Sequence, residues 1–213
     1  MTTETATPSC ARVERLWSGE RVVILGGGCS LTDDDVEFCR GKARVIAIKE
    51  AYLLAPWADA LYGCDPKFWR FYEGAPTFTG LKYTIAQDPA QEQHTAWPGL
   101  QVLRNTGQDG LEVDPSGLRT GFNSGYQAIN LAFHLAGPTQ IVLLGFDMWA
   151  GPDGHQNWFG PHPNHVDSPY PIFLQAFRSI EEPLADAGVQ VLNASRFTVM
   201  NSFPRVPLEE ALA

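Results

Sequence analysis

Charge is scarce in this sequence. Asp, Glu, Lys and Arg make up 18% of the 213 residues, against roughly 25% in an ordinary soluble domain, so Gly, Pro, Ser, Asn and aromatic side chains must cover much of the surface. Basic charge is the scarcer sign, with 15 Lys and Arg against 24 Asp and Glu and a net charge of −9. No run of Lys or Arg offers a track for a phosphate backbone, which disfavours extensive nucleic-acid binding while leaving room for a local basic pocket. Cysteine is scarce as well. Cys10, Cys29, Cys39 and Cys64 form no C-x-x-C pair, so reduced packing thiols are expected rather than a thiolate metal or redox site. No apolar run is long enough to span a bilayer, and the first ten residues, MTTETATPSC, lack the basic and apolar segments of a signal peptide. A soluble, cytoplasmic protein is expected. Two catalytic signatures are also missing: G-x-x-x-x-G-K-[ST], which disfavours a P-loop kinase or ATPase, and G-x-S-x-G, the commonest local sign of an α/β-hydrolase.

What the chain does have is hydrophobic content of 44%, too much for disorder, and a length suited to one well-buried core. Arg21–Leu25 is a β-branched run ending in Gly26-Gly27-Gly28, and Thr32 with Asp33, Asp34 and Asp35 supplies the cap and acidic first turn of a helix through Cys39. Arg44–Ile48, Ala60–Tyr62, Lys82–Ala86 and Gln101–Leu103 read as further short strands, with a helix-compatible segment from Ala51 to Trp57. The clearest helix runs from Ser124 to Ala136, where Ala128, Leu131, Ala132 and Leu135 share one face and Gly137-Pro138 ends the pattern. Ile141–Leu144 follows as a strand, then an irregular segment to about Ser168, a helix over Pro171–Ala187, a strand at Val189–Leu192 and a helical turn at Pro207–Leu212. Strand alternating with helix predicts a single Rossmann-like α/β domain over residues 19–213, behind an N-terminal tail of residues 1–18. Its sheet is mainly parallel with helices on both faces, and a lid-like loop covers about residues 148–168.

In such a sheet ligands bind beyond the carboxyl ends of the strands, so the loops after Leu25, Ile48, Tyr62 and Leu144 are the candidates. Gly26, Gly27 and Gly28 permit close backbone approach, and the helix start behind them suits a phosphate; a tight turn with no ligand is the plainer alternative. A dinucleotide fingerprint is incomplete, since Leu31 stands at the third glycine position, although Glu50 lies near the usual place of the ribose-binding acid. The segment after Asp147 holds Trp149, Asp153, His155, Asn157, Trp158, Phe159, His162, His165 and Asp167. A histidine there could act as a general base with aromatics stacking a ring above it. Convergence of His155, His162 and His165 on a metal, or simple loop packing, are the competing readings. His134, on the apolar helix, reads as a hydrogen-bonded structural residue.

Three segments together, Val22–Leu31, Thr120–Tyr126 and Ile141–Asp147, resemble the bacterial sialyltransferases of the Campylobacter type and the MptE-like proteins of archaea, bacteria and bacteriophages. In that group a strand enters a Gly-x-Gly-Pro-Ser-Leu turn, a Thr-Ser-Gly or Asn-Ser-Gly opens a helix, and the next strand ends in Gly-x-Asp. The segments Trp158–Pro163 and Asn201–Pro204 look most like uncharacterised phage and prophage members, which would place the protein in a host cytoplasm. The resemblance implies that Gly26 to Ser30 meet a nucleotide's phosphate or ribose, that Asp65, Asn123, Ser124 and Gly125 line the same pocket, and that Asp147 closes it. This chain has Gly27 for an Asn, Cys29 for the usual Pro, Lys49 near the place of another nucleotide-contacting Asn, and Trp149 where a phosphate-binding Tyr is expected. His165 matches the family's base by position, and His162 by its His-Pro context.

The expected function is that of a nucleotide-sugar-dependent, inverting, metal-independent glycosyltransferase that needs no cofactor and acts on an unknown hydroxyl acceptor, with His162 or His165 as general base. Two alternatives stand beside it. One is a pyrophosphokinase-like transfer to a hydroxymethyl group, using magnesium held by carboxylates such as Asp65 and Asp147. The other is a non-catalytic nucleotide-binding phage module, and either protein could self-associate.

Overall fold

The computed structural model describes residues 11–86, 97–160 and 167–213. Eight strands, Val22–Leu25 (β1), Arg44–Ile48 (β2), Ala60–Tyr62 (β3), Leu81–Ile85 (β4), Leu100–Asn105 (β5), Gly117–Leu118 (β6), Gln140–Leu144 (β7) and Gln190–Asn193 (β8), form one sheet in the order β6-β5-β4-β3-β2-β1-β7-β8. Every pairing is parallel, as the expected Rossmann-like domain requires. The helices are Asp33–Cys39 (α1), Pro66–Phe71 (α2), Ser124–Ala136 (α3), Tyr170–Asp186 (α4) and Leu208–Ala211 (α5), with a 3-10 turn at Lys49–Leu53.

Unbroken apolar runs make these strands because both faces of the sheet are covered. Val22 and Ile24 of β1 belong to a core with Leu131 of α3 and Phe177 of α4. Their neighbours Val23 and Leu25 join Val36 of α1, Trp69 of α2 and Leu208 of α5 in a second core. All four β1 side chains are fully buried, each contributing about 1.5–3 kcal/mol of hydrophobic stabilisation. The helix starts follow the expected chemistry. Thr32 Oγ1 accepts from the Asp35 N–H, and Asn123 Oδ1 accepts from the Tyr126 N–H.

Several expectations change. Residues 11–18, expected within the N-terminal tail of residues 1–18, pack on the domain: Val13 and Trp17 are buried in the first core, and their N–H groups donate to Pro115 O and Leu135 O. The segment expected as a helix over 51–57 is instead the short 3-10 turn at Lys49–Leu53. Two elements escaped the pattern reading because both are too short to show a period. They are β6, two residues long, and α2, six residues long, whose start is marked by the Asp65 cap and Pro66.

The strand order places the functional edge. From β1 the chain proceeds through β2, β3, β4, β5 and β6 on one side, and β7 and β8 lie on the other. The chain after β1 therefore runs to α1 on one face of the sheet and the chain after β7 to α4 on the other. The ends of these two strands mark the topological switch point, where open parallel sheets bind ligands.

Candidate functional site

At the switch point the sheet pairing runs on past the strand ends. Gly26 N–H donates to Leu144 O at 2.7 Å and Gly28 N–H to Gly145 O at 2.9 Å. A Cβ on Gly26 would stand 2.5 Å from Gly145 O, and one on Gly28 would stand 2.5 Å from Asp147 Cγ. The first and third glycines are thus required by the contact between two loops of the protein itself. Gly27 differs, since a Cβ there would meet only Asn157 Oδ1 at 3.3 Å and Phe159 at 4.0 Å.

Asp147 ties the turn down. Its carboxylate accepts from Ser30 N–H at 2.7 Å, Ser30 Oγ–H at 2.6 Å and the Cys29 thiol at 3.4 Å, and the residue is 1% exposed. Burial raises the Asp147 pKa above its ordinary value, while the hydrogen bonds from Ser30 and Cys29 oppose the rise. The Cys29 thiol is likewise pushed up, first by burial and then by Asp147, so it is a neutral donor at neutral pH rather than a nucleophile. The N–H groups of Gly26, Gly28 and Ser30 are therefore already engaged within the protein.

The start of α3 is wedged into the same edge. Ser124 Oγ–H donates to Cys64 Sγ at 3.1 Å in the loop after β3, and a Cβ on Gly125 would stand 2.6 Å from the Phe146 ring in the loop after β7. Since α3 packs on β1 and β2, its first turn overlies the ends of both. The Asn123 side chain is committed to the cap and to Gly121 O, but the first-turn N–H groups of Ser124 and Gly125 have no intrahelical partner. Lys49, after β2, points its ammonium to Asp65 Oδ2 at 4.0 Å, and Asp65 caps α2 by accepting from Lys67 N–H.

The described part of the lid-like segment is docked. Gly28 and Asn157 form a β-bridge, and Trp158 N–H donates to Gly27 O at 3.1 Å. The buried Nε1–H of Trp158 meets no acceptor among the described residues. Trp149 lies further out, its ring 4.6 Å from that of Phe197. His155 pairs with Asp153 at 3.0 Å on the surface. Both His162 and His165 lie outside the described residues, as does His94. His134 is buried, with Nε2 at 2.9 Å from Gly117 O, and burial lowers its pKa, which fits its structural reading. Glu50 is buried near Tyr52 and Tyr72.

Three features of this edge had no clear signal in the sequence. Lys49, Phe122 and Met148 adopt positive φ of 47°, 61° and 54°, and such strain in non-glycine residues concentrates at functional loops. Tyr170 at the start of α4 comes close enough to Asp147 and Cys29 for their charges to raise its pKa, after the larger effect of its own burial. Cys64 read as a packing thiol, yet it touches Ser124. Of these, Tyr170 alone has even a weak signal, as the polar aromatic at a Pro-flanked helix start.

No family model and no curated protein matches the sequence. Among solved structures the chain is similar to the MAf glycosyltransferase from Magnetospirillum magneticum AMB-1, with a TM-score of 0.59 and 14% identity. The match covers 94% of this chain and 35% of that one. The likeness shows the α/β fold, and this chain spans about a third of that enzyme's length.

Proposed function

We propose that the protein is a glycosyltransferase that takes its sugar from a nucleotide donor bound at the switch point. The observation that carries this reading is the convergence of the loops after β1, β2, β3 and β7 with the start of α3 on one crevice. The fold shared with a glycosyltransferase supports it. The Gly26–Ser30 turn suits the hydroxyl-bearing part of the donor, because the buried Asp147 carboxylate behind it repels phosphate. The leaving phosphate goes to the first-turn N–H groups of α3 and to the Lys49 ammonium. Trp158 offers its unmatched Nε1–H beside the turn. The acceptor hydroxyl loses its proton to a histidine as its oxygen bonds to the anomeric carbon, and the bond from that carbon to the phosphate oxygen breaks with its electrons passing to the phosphate. A CMP-sugar type of donor and a phage or prophage source rest on the motif resemblance alone.

The magnesium-dependent pyrophosphokinase reading needs Asp65 and Asp147 available to a cation. Asp147 is held by three hydrogen bonds and Asp65 by its cap, which favours glycosyl transfer. Replacing His162 and His165 together by Ala should lower single-turnover rates by about 10² to 10⁴ with donor affinity nearly unchanged. Full activity in the double variant would remove the histidine base from the mechanism.

A further inference from the structure

At the opposite end of the strands, the entrances to β1, β2 and β3 frame a cleft of about 500 Å³ lined by Arg21, Arg40, Lys42, Arg44, Trp57 and two acids, Glu20 and Asp59. We infer that this cleft is a second binding site, for a small polyphosphate anion, independent of the switch point. In a chain of net charge −9, four of its 15 basic residues meet here. Both acids of the cleft are engaged by one cation. Arg44 Nε and Nη2 donate to Glu20 at 2.8 and 3.2 Å, and Nη1 donates to Asp59 Oδ1 at 2.9 Å. Asp59 Oδ2 also accepts from the Val45 N–H, fixing the ion-paired wall to the start of β2.

The other three cations are left with weak partners. Arg21 Nη2 donates to Ala213 O at 3.2 Å, and Arg40 reaches Glu37 at 3.3 Å across an exposed helix surface. Lys42 Nζ lies 3.0 Å over the Phe38 ring, with no carboxylate partner among the described residues. A cation held over a ring, as Lys42 is, or in an exposed ion pair, as Arg40 is, keeps donors available for an incoming anion. The volume suits a small ligand, and the spread of the three cations around it suits several charges on that ligand. Trp57, with the Arg40 guanidinium 5.3 Å from its ring centre, gives the cleft an aromatic wall.

Titration calorimetry of the full chain with inorganic pyrophosphate at about 50 mM salt tests the site. Binding should weaken by about tenfold or more in Arg21→Glu/Lys42→Glu and be unchanged in Arg12→Glu, which reverses an exposed cation beside Asp114 that belongs to neither site. The single variant Lys42→Ala changes an exposed side chain and should weaken binding with an unaltered melt, so the result does not hang on the double variant folding. A nucleoside diphosphate run in parallel identifies the source of the phosphate. Tighter binding than pyrophosphate that is lost in Trp57→Leu assigns a nucleotide, and equal binding assigns the free anion. No binding of pyrophosphate, or binding lost in Lys49→Gly and kept in the cleft variants, overturns the site.

Discussion

Asp147 shows how one side chain can set the chemistry of an edge. Its pKa is raised in the folded state, so between the unfolded value near 3.8 and the raised folded value the native state holds more proton than the unfolded chain. Stability then falls as pH rises through that window, by at most about 1.4 kcal/mol per unit. Below the window the contribution is fully present. Asp147→Asn should remove this part of the slope, and urea midpoints of the two proteins across the acid range measure it; identical slopes would mean that the carboxylate is not strained by burial. Lys49 carries a different tension. Its φ of 47° costs a residue with a side chain about 1–2 kcal/mol that glycine avoids, offset by glycine's greater freedom when unfolded. Lys49→Gly is therefore expected to keep stability within about 1 kcal/mol, while donor affinity drops about tenfold with the loss of the ammonium. A large loss of stability would show that Lys49 serves the fold rather than the ligand.

At the scale of elements, the helices and strands were legible where apolar spacing and caps coincide, as in α3 with Asn123 before it and Gly137-Pro138 behind. The glycine turn was legible as a tight strand-to-helix turn, but its internal contacts were not. The fold brings Asp147 from 117 residues further on to its Ser30 N–H, a contact no local pattern encodes. The lid is similar: its lack of periodicity predicted an irregular segment, and only the strand order brings Asn157 and Trp158 onto Gly27 and Gly28. This docking makes two neighbouring glycines unequal. Gly27→Ala presses only on Asn157, so hydrogen exchange at Trp158 should accelerate while the unfolding midpoint barely moves. Gly28→Ala collides with the Asp147 carboxylate and Gly145 O and should cost about 1–3 kcal/mol. Equal effects of the two substitutions would mean that the lid and the turn are not separately anchored.

For the whole molecule, the sheet makes ligand binding and global stability one quantity. The switch-point edge is assembled from the loops after β1, β2 and β3 together with that after β7, which lies far from them in sequence, so it exists only in the native state. A ligand that binds there stabilises by RT ln(1 + [L]/Kd), about 2.7 kcal/mol at a hundred times Kd. In a domain of this size each kcal/mol moves the melting temperature by roughly 2–4 °C. A nucleotide sugar should therefore raise the melting temperature by about 5–11 °C at that excess. The corresponding nucleoside, lacking the phosphate that the proposed function assigns to α3 and Lys49, should raise it by much less. Because the basic cleft at the other edge can also bind phosphate, the measurement belongs in the Arg21→Glu/Lys42→Glu background, where the remaining shift reports the switch point alone. Lys49→Gly in that background should then reduce the shift by the RT ln 10 of a tenfold weaker site. If no nucleotide sugar moves the melt in that background, the crevice does not hold a donor, and the fold has been put to a use other than glycosyl transfer.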